Sequence, residues 1–595
     1  MAAMTYTPPL NDIRFVLDHV VDLDRLLELP AYAHVDRDLV GGILEEAGRF
    51  AAEAIAPTNR DGDTVGSRLV DGEVVTPDSF KPAYDAYVES GWGALQHPEE
   101  FGGGDFPLVV ANAFKEMLTS ANMGFSLCPL LTTGAVYAML HHASEELQQE
   151  WLPKMVSGEW TGTMNLTEPG AGSDVGALTT RAVPTGDGSY RITGQKIFIT
   201  YGEHDLADQI VHLVLARLPD APPGTKGISL FVVPKYLMEA DGSLGERNDV
   251  TCVSVEHKIG IHGSPTCVMA YGDDSDGAIG YLVGGEHDGM RAMFTMMNDA
   301  RLAVGMQGLS VAERAYQQAL GFAQERHQGT ALGAPRGESS PIIEHADVRR
   351  MLMTMKARIE GMRALTYMNG IALDFAHALD GDEAAEWQKL ADLYTPLSKA
   401  WSTDLGVEVA STAIQVYGGM GYVEESGVGQ YWRDARIAPI YEGTNGIQAL
   451  DLVGRKMGYD GGAFVTTHIE SLRAHTTDDR DELATTMAAV AAAIDVLAET
   501  TDWLMGQRDE LQDVFAGATP YLRLFATTVA GALLAKGASA ALDEVEAGSD
   551  VDFHRARITT ARFFAEQLLP EVHALAPQVT ATARDLFALD AAQLA

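Results

Sequence analysis

Cysteine is scarce in this sequence of 595 residues, which holds only Cys128, Cys252 and Cys267. Three widely separated cysteines exclude a disulfide framework and a cysteine-rich metal site. The N-terminus has no basic segment followed by an apolar one, and no apolar run reaches the ~18 residues that span a bilayer. We therefore expect a cytoplasmic protein without a signal peptide, a membrane span or a bound metal.

Basic residues are also few. The sequence has 42 Lys and Arg against 83 Asp and Glu, a formal net charge of −41. The excess is spread along the chain, since residues 461–595 alone hold 20 acidic and 9 basic residues. Such a surface repels polyanions, so we expect no nucleic-acid partner. Evenly spread acidity is typical of soluble proteins, including those of a saline cytoplasm.

Hydrophobic periodicity changes character along the chain. Helical spacing dominates before residue 158 and after residue 286, whereas short β-branched runs separated by Gly, Pro and Asp fill the part between. Strands without intervening helices favour an antiparallel barrel or sandwich. We therefore predict a mostly helical α+β protein with these segments: an N-terminal extension (1–35), an N-terminal helical domain (36–158), a central antiparallel β-barrel-like domain (159–285), a helical bundle (286–460) and an additional helical domain (461–595).

The glycine-rich segment 164–174, MNLTEPGAGSD, interrupts regular structure at Pro169. Small residues such as Gly172 and Ser173 let the main chain approach a planar ring or a pyrophosphate, and their N–H groups can converge on an anion. An ordinary turn has the same composition, so both interpretations stay open here. The segment lacks the G-x-G-x-x-G pattern, which argues against a Rossmann dinucleotide site.

The segment 194–202, GQKIFITYG, is predicted to be a strand. Alternation places Phe198 and Thr200 on one face. An aromatic ring beside a hydroxyl can form a wall for a flat heterocycle, although a half-buried structural strand shows the same pattern.

Two arginines mark the helix that follows the β-domain. The helix is predicted to begin near Asn298 and Asp299, which are good N-cap types. Arg301 would then lie at its start and Arg326, 25 residues later, near its end. Both would share one helix face, where they could hold anionic partners or remain solvated.

Glu442 lies in the loop YEGTNGIQ, residues 441–448, just before a helix that Thr444 or Asn445 would cap. A carboxylate beside apolar residues is partly desolvated, which raises its pKa as a general base requires. A capping or surface glutamate remains the alternative. A glycine-dense break, QVYGGMG at 415–421, precedes this loop.

The order and spacing of these segments resemble the acyl-CoA dehydrogenase family over roughly residues 36–457. The matching motifs are LTEPGAGSD, GQKIFIT, the Arg301–Arg326 pair, QVYGGMG and IYEGT. The resemblance implies a helical domain, a β-barrel-like domain and a four-helix bundle. The N-terminal segment and the 463–595 extension are similar to a long bacterial subfamily, which includes broad-range fatty acyl-CoA and 3-(methylthio)propanoyl-CoA dehydrogenases.

By this resemblance the cofactor is FAD, and the substrate is an acyl-CoA. The residues implied to bind FAD are Met164, Leu166, Thr167, Gly172, Ser173, Phe198, Thr200, Arg326, Gln415, Gly419 and Thr444. The resemblance assigns substrate binding to Ser173, Arg301 and Tyr441. Because Arg326, Gln415 and Gly419 would contact the flavin nucleotide of a neighbouring subunit, it also implies a homodimer or homotetramer.

The resemblance implies that Glu442 is the catalytic base. It would remove the α-proton while the β-hydrogen leaves as hydride to the flavin, which yields a trans-2-enoyl-CoA. Electrons would pass to an electron-transferring flavoprotein. Some members carry the base beside the position of Arg301, but this sequence has Ala300 there. Phe198 departs from the family pattern, since many relatives have Trp at that position.

Two alternatives share the same scaffold. An acyl-CoA oxidase would pass electrons to O₂, and a non-catalytic DNA-associated flavoprotein would need a basic surface that residues 461–595 do not provide. For the CoA phosphates, an acidic protein needs local cations. We expect these among His327, Arg336, Arg349 and Arg350.

Overall fold

The computed structural model describes residues 6–335 and 337–595, so Arg336 lies outside the described residues. As predicted, the protein is mostly helical with a β-sheet region in the middle of the chain. Its α-helices are α1 Leu10–Phe15, α2 Leu23–Leu27, α3 Arg37–Phe50, α4 Asn59–Thr64, α5 Phe80–Glu89, α6 Leu108–Ala121, α7 Met123–His142, α8 Glu145–Ser157, α9 Gly289–Glu325, α10 Ala346–Ala378, α11 Gly381–Tyr417, α12 Val428–Ala435, α13 Asn445–Gly454, α14 Ala463–Ser471, α15 Ala484–Gly506, α16 Leu511–Ala516, α17 Ala518–Ala547, α18 Val551–Phe563 and α19 Glu571–Thr580.

The chain divides into two compact units. The unit that we call the helical unit comprises the residues up to Gly48, Leu108–Glu116 and Val304–Ala595. The sheet unit comprises Arg49–Pro107 and Met117–Ala303.

The sheet unit holds all the strands of the described chain. They are β1 Arg68–Val70, β2 Glu73–Val75, β3 Trp160–Asn165, β4 Arg181–Pro184, β5 Ser189–Thr200, β6 Gln209–Arg217, β7 Ile228–Pro234, β8 Tyr236–Met238, β9 Leu244–Arg247, β10 Val250–Val255, β11 Thr266–Tyr271 and β12 Ala278–Val283. The main sheet has the order β10-β11-β5-β12-β7-β6-β3, and β4 pairs with β5 and β6.

The sheet differs from the predicted antiparallel arrangement at the β3 edge. Strand β3 runs parallel to β6, with Trp160 opposite Gln209, and β4 meets β6 in parallel at Arg181. Parallel pairing requires a long connection, which β4 and β5 provide. They lie between β3 and β6 in the sequence and bring the chain back to the end of the sheet at which β3 began. Every residue of β3 is buried, as is typical of a strand covered on both faces.

A bulge interrupts β5 where it pairs with β11. Ile199 lies opposite Cys267 and Lys196 opposite Met269, so β5 carries one extra residue between the two pairs. Phe198 lies in this bulge and has a φ of 60°, in the left-handed region. A bulge re-aims a side chain and breaks the strict alternation that the sequence predicted.

Helices α7 and α17 satisfy the length and hydropathy of a membrane span. Within the structure, however, 83% of the apolar window of α7 and 78% of that of α17 are buried. Core helices of this kind meet the same criteria by length and composition alone.

Buried charges join three helices of the helical unit. Arg363 of α10 lies 2.7 Å from Glu116 of α6 and 2.8 Å from Glu313 of α9. The hydroxyl of Tyr367 donates to Glu116 at 2.7 Å. Arg363 thus bridges two buried carboxylates, and these contacts fix the positions of α6, α9 and α10 relative to one another.

The N-terminal segment packs on the C-terminal helices rather than standing apart. Asp12 forms an ion pair with Arg557 of α18, which also lies 3.2 Å from Glu360. Lys536 of α17 donates to the carbonyl of Val20 at 2.7 Å. The two ends of the chain therefore stabilise each other through contacts that span more than 500 positions.

Helix α9 begins earlier than predicted. It starts at Gly289 instead of near Asn298 and Asp299, because the residues 290–297 continue the helical spacing of apolar side chains. Arg301 therefore lies inside the helix rather than at its start. Arg326 is the first residue after the helix ends at Glu325.

Candidate active site

Glu442 lies in a tight loop of the helical unit that leads into α13. Glu442 and Gly443 have φ values of 56° and 84°. The predicted capping is confirmed, since the side chain of Thr444 accepts a hydrogen bond from the N–H of Ile447 at 3.2 Å. The side chain of Gln448 donates to the carbonyl of Glu442 at 3.4 Å. A left-handed glutamate costs about 1–3 kcal/mol, so the surrounding contacts must hold this conformation.

Asn445 anchors the end of this loop to α11. Its Nδ2 donates to Asp404 Oδ1 at 2.8 Å and to the carbonyl of Ala400 at 3.0 Å. Its Oδ1 accepts from Nζ of Lys399, a fully buried lysine, at 2.9 Å. Burial raises the pKa of Asp404. The loop is therefore fixed through a partly buried polar cluster rather than by apolar packing alone.

Tyr441 anchors the other side of Glu442. Its hydroxyl donates to Oε1 of Gln307 on α9. Burial, and to a smaller extent the charge of Glu442, raise the pKa of Tyr441 well above its usual value. The phenol therefore stays protonated and acts as a hydrogen-bond donor. Gln307 is 1% exposed, and its Nε2 has no hydrogen-bond partner among the described residues.

Helices α9 and α11 approach each other closely beside Gln307. A Cβ atom on Gly308 would lie 2.2 Å from the carbonyl oxygen of Ser402, and one on Gly305 would lie 2.8 Å from that of Ser398. Only glycine permits this approach of the two backbones. The contact fixes the position along α9 at which Gln307 reaches Tyr441 in the loop of Glu442.

The remaining predicted residues of the helical unit lie on its surface. Arg326 is exposed, and its guanidinium lies 3.4 Å from Oε1 of Gln328. Gln415 and Gly419 are exposed near the end of α11, and Gly419 has open space around the position of a Cβ. These three residues are accessible to a ligand or a second subunit.

In the sheet unit, the predicted cofactor residues surround the end of β3. Met164, on this strand, is 8% exposed, and Leu166, the first residue after it, is 9% exposed. The carbonyl of Thr167 accepts from the N–H of Ile197 at 2.9 Å, which joins the loop to β5. Gly172 and Ser173 are exposed at its tip.

A buried ion pair holds this loop against the sheet. Lys196 of β5 lies 2.8 Å from Glu168 and also donates to the carbonyl of Leu166 at 3.0 Å. The carboxylate of Glu168 further accepts from the backbone N–H and the hydroxyl of both Thr179 and Thr180. These contacts hold the loop backbone in one conformation without the need for a ligand contact.

The pKa values agree with a charged pair at neutral pH. Burial alone would raise the pKa of Glu168, but Lys196 and the hydrogen bonds from Thr179 and Thr180 lower it to about 2. Burial lowers the pKa of Lys196 to about 8, against the opposing effect of Glu168. Both groups are therefore mainly ionised at pH 7.

Phe198 presents an exposed ring next to this loop. The ring is 59% exposed in the left-handed bulge, while its neighbour Ile199 is buried. Thr200, two residues further, is half-buried. A large apolar ring that the backbone turns outward fits a flat aromatic ligand that would cover it. The residues present therefore fit a flavin ring.

Arg301 and three of the residues predicted to bind the CoA phosphates, His327, Arg349 and Arg350, have protein contacts of their own. Arg301 is 6% exposed and lies 3.4 Å from Oδ1 of Asn298. Arg350 pairs with Asp347 at 2.8 Å, and Arg349 donates to a backbone carbonyl. Nδ1 of His327 lies 3.1 Å from the carbonyl of Glu325.

Three features of the site were not predicted from the sequence: Gln307, Lys196 and the anchoring role of Asn445. Lys196 could have been noticed, because a lysine flanked by apolar strand residues needs a buried partner. Gln307 carries no local signal, since its importance depends on a helix and a loop that are 134 residues apart.

Family models match most of the chain. The N-terminal, middle and C-terminal domains of acyl-CoA dehydrogenases match residues 42–159, 163–273 and 287–457. An "acetyl-CoA dehydrogenase C-terminal like" domain matches residues 465–590.

Curated relatives match over nearly the full length. A 3-methylmercaptopropionyl-CoA dehydrogenase from Ruegeria pomeroyi is 46% identical, covering 98% of this chain and 99% of its own. A butyryl-CoA dehydrogenase from Syntrophomonas wolfei is 37% identical, covering 96% of both chains.

Solved structures agree in fold. An acyl-CoA dehydrogenase from Bacillus anthracis, crystallised with FAD, gives a TM-score of 0.74 at 20% identity and covers 97% of this chain and 92% of its own. At this identity the match shows the fold alone. The family models and the full-length relatives confirm the resemblance of the motifs, and the chain belongs to the acyl-CoA dehydrogenase family of FAD-dependent oxidoreductases.

Proposed function

We propose that this protein oxidises the Cα–Cβ bond of short acyl-CoA thioesters to trans-2-enoyl-CoA, with Glu442 as the base. The main support is the loop of Glu442, which polar contacts hold in a left-handed conformation ahead of α13. A carboxylate that is fixed before substrate arrives needs no reorganisation during proton transfer.

Each of the chain's own groups has a defined task in this proposal. The carboxylate of Glu442 removes the α-proton, and its backbone N–H donates to the thioester carbonyl, where negative charge develops. Bound FAD supplies the acceptor for the β-hydrogen. Arg301 acts electrostatically at the substrate end, and Tyr441 and Ser173 contribute to substrate binding.

We propose that the FAD-binding residues comprise two groups. In the sheet unit they are Met164, Leu166, Thr167, Gly172, Ser173, Phe198 and Thr200. In the helical unit they are Thr444 and the exposed Arg326, Gln415 and Gly419, which would serve the flavin nucleotide of a second subunit in a homodimer or homotetramer. The exposed ring of Phe198 and the pre-formed loop beside it support this assignment.

For the substrate, 3-methylmercaptopropionyl-CoA is the first candidate, because the relative that carries this name is 46% identical over nearly the whole chain. Butyryl-CoA is the second. Both are short thioesters with a hydrogen on Cα and on Cβ. A panel of 3-methylmercaptopropionyl-CoA and the acyl-CoAs from propanoyl-CoA to palmitoyl-CoA, assayed with an artificial electron acceptor, should give the highest kcat/KM for the thioether substrate and a decline with long chains.

An electron-transferring flavoprotein is the proposed acceptor. Reduced enzyme should then reoxidise slowly in air and quickly when that partner is added. Fast reoxidation by O₂ alone would instead identify an acyl-CoA oxidase.

The substitution Glu442→Gln tests the assignment of the base. The amide keeps the size of the side chain but cannot accept the proton, so kcat should fall by about 10²–10⁴-fold while the flavin absorbance of the purified protein remains. The matched control is Glu425→Gln, an exposed glutamate on another loop, which should retain turnover. Wild-type turnover in the Glu442→Gln variant would refute the proposed function.

A further inference from the structure

Gln307 is a buried polar side chain that the reaction described above does not use. It lies on α9, is 1% exposed and accepts the hydroxyl of Tyr441, the residue directly before Glu442. We propose that Gln307 is a positioning residue, which acts through Tyr441 to hold Glu442 in its left-handed conformation. This inference rests on the proposed role of Glu442 as the base.

The contacts around the loop assign different anchors to its two sides. After Glu442, the cap of Thr444 and the polar cluster of Asn445 fix the chain. Before Glu442, the side chain of Tyr441 is tied to Gln307. A φ of 56° at a glutamate persists only where the residues on both sides are held. Loss of the Gln307 anchor would therefore release Glu442 toward ordinary backbone conformations.

The anchor itself is rigid. Gln307 lies between Gly305 and Gly308, where α9 meets α11 with almost no space for a Cβ atom. The backbone position of Gln307 is thus set by contact between two helices, which deform little, and burial of the side chain restricts where its acceptor oxygen can lie. A hydrogen bond to such a point locates the Tyr441 ring, and with it the start of the loop.

The chemistry of the side chain fits this task better than a purely structural one. Nε2 of Gln307 has no hydrogen-bond partner among the described residues. A buried amide with an unsatisfied N–H group destabilises the folded state, so an apolar side chain would serve stability at least as well. A glutamate could accept the same hydrogen bond, but it would add a second negative charge near the base. Glutamine provides the acceptor without that charge.

The first test uses Gln307→Met, which keeps the volume but removes the acceptor. With FAD bound, kcat should fall by about 10- to 100-fold while KM changes little, because the base is misplaced rather than the substrate site lost. Hydrogen exchange of the peptide 437–448 should become faster. Gln324→Met, an exposed glutamine on the same helix, is the control and should match wild type in both measurements.

A double-substitution cycle separates this role from general packing. If Gln307 acts through the hydroxyl, Tyr441→Phe alone should lower kcat as well, and Gln307→Met/Tyr441→Phe should be no worse than either single variant. In contrast to Gln307→Met, the variant Gln307→Glu keeps an acceptor for the Tyr441 hydroxyl. It should therefore retain most of kcat at alkaline pH. Its added charge should move the acidic limb of the kcat profile to higher pH.

Several results would overturn the inference. The first is a wild-type kcat together with a wild-type rate of hydrogen exchange in Gln307→Met. The second is a strictly additive loss of kcat in the double variant. The third is a kcat–pH profile in Gln307→Glu that does not differ from that of the wild type. If Glu442→Gln is inactive while Gln307→Met turns over normally, only the role of Gln307 fails. If Glu442→Gln remains active, the proposed function fails first.

Discussion

Glu168 and Lys196 illustrate how a single buried pair can determine the shape of a ligand loop. Lys196 is fully buried, and the carboxylate of Glu168 receives one ion pair and four further hydrogen bonds. The pair fixes the backbone that presents Gly172 and Ser173. The loop that we propose to bind the cofactor is therefore stabilised by groups that we do not expect to touch the cofactor.

We predict that Lys196→Met is strongly destabilising. Removal of one member leaves the Glu168 carboxylate buried and uncompensated, which costs about 3–5 kcal/mol in the free energy of unfolding. Urea unfolding followed by circular dichroism measures this loss, and the flavin content should fall with it.

Two variants complete that experiment. Lys226→Met removes an exposed lysine of the same unit and should change stability little. Glu168→Gln/Lys196→Met should recover part of the loss, because no isolated charge remains buried. An unchanged unfolding midpoint in Lys196→Met alone would contradict the structural role.

At the scale of elements, the crossing of α9 and α11 determines the geometry around Tyr441 and Glu442. The backbones meet at Gly305 and Gly308, and Gly406 of α11 lies against Gly308 in turn. This contact brings Gln307 of α9 and the Asn445-binding residues of α11, Ala400 and Asp404, to the same short loop.

Gly308→Ala should therefore separate the two helices. Its Cβ would lie 2.2 Å from the carbonyl oxygen of Ser402, which cannot yield without moving the helix. Overpacking of this kind typically costs about 1–3 kcal/mol, and kcat should fall as well. Gly429→Ala in α12, where no atom lies within 4 Å of the new methyl, is the matched control and should be neutral or slightly stabilising in thermal unfolding.

The start of α6 should respond to pH. Asp374 accepts hydrogen bonds from the N–H groups of Leu108 and Val109 at 2.6 and 2.9 Å. Burial raises its pKa from 3.8 to about 7, against the effect of these bonds. Between about pH 4 and 7 the folded protein thus binds a proton that the unfolded chain lacks, and the stabilising contribution of this group is lost as the pH rises.

Asp374→Asn should reveal this dependence. The amide does not titrate, so the Tm of the variant minus that of wild type should increase between about pH 5 and pH 8. The exposed Asp380→Asn serves as the control, with a difference that stays constant. A constant or falling difference for Asp374→Asn would show that the carboxyl is ionised throughout.

At the scale of the molecule, the two ends of the chain form one structure with the helical bundle. Asp12, Arg557 and Glu360 connect the N-terminal segment, α18 and α10 through buried charges. Helix α17 contacts α10, α11 and α13, so the C-terminal region supports the helix that follows Glu442. The extension is part of the fold that carries the site.

The net charge of −41 should make the whole molecule sensitive to salt. Repulsion among surface carboxylates destabilises the compact state, and salt reduces it because the screening length falls from about 10 Å at 0.1 M to about 3 Å at 1 M. Tm should rise, and turnover should persist, between these concentrations. NaCl and KCl should act alike, and a steep fall of both quantities in either salt would contradict this interpretation.

The sequence by itself determined the family, the order of helical and β regions and the position of Glu442. These depend on local signals: helical and strand periodicity, the cap of Thr444 and motifs whose residues lie within about ten positions of one another. The family models and relatives confirmed the family, whereas the roles assigned to individual residues remain predictions.

Only the tertiary structure decided the partners of those motifs. The parallel pairing of β3 with β6, the ion pair under the cofactor loop, the contact of Gln307 with Tyr441 and the bond of Arg557 to Asp12 join residues 28 to 545 positions apart. Such contacts form because packing brings distant segments together, and no local pattern encodes which of the possible partners meet. The local sequence thus specified the chemical groups, and the packing of helices and strands specified what holds them in place.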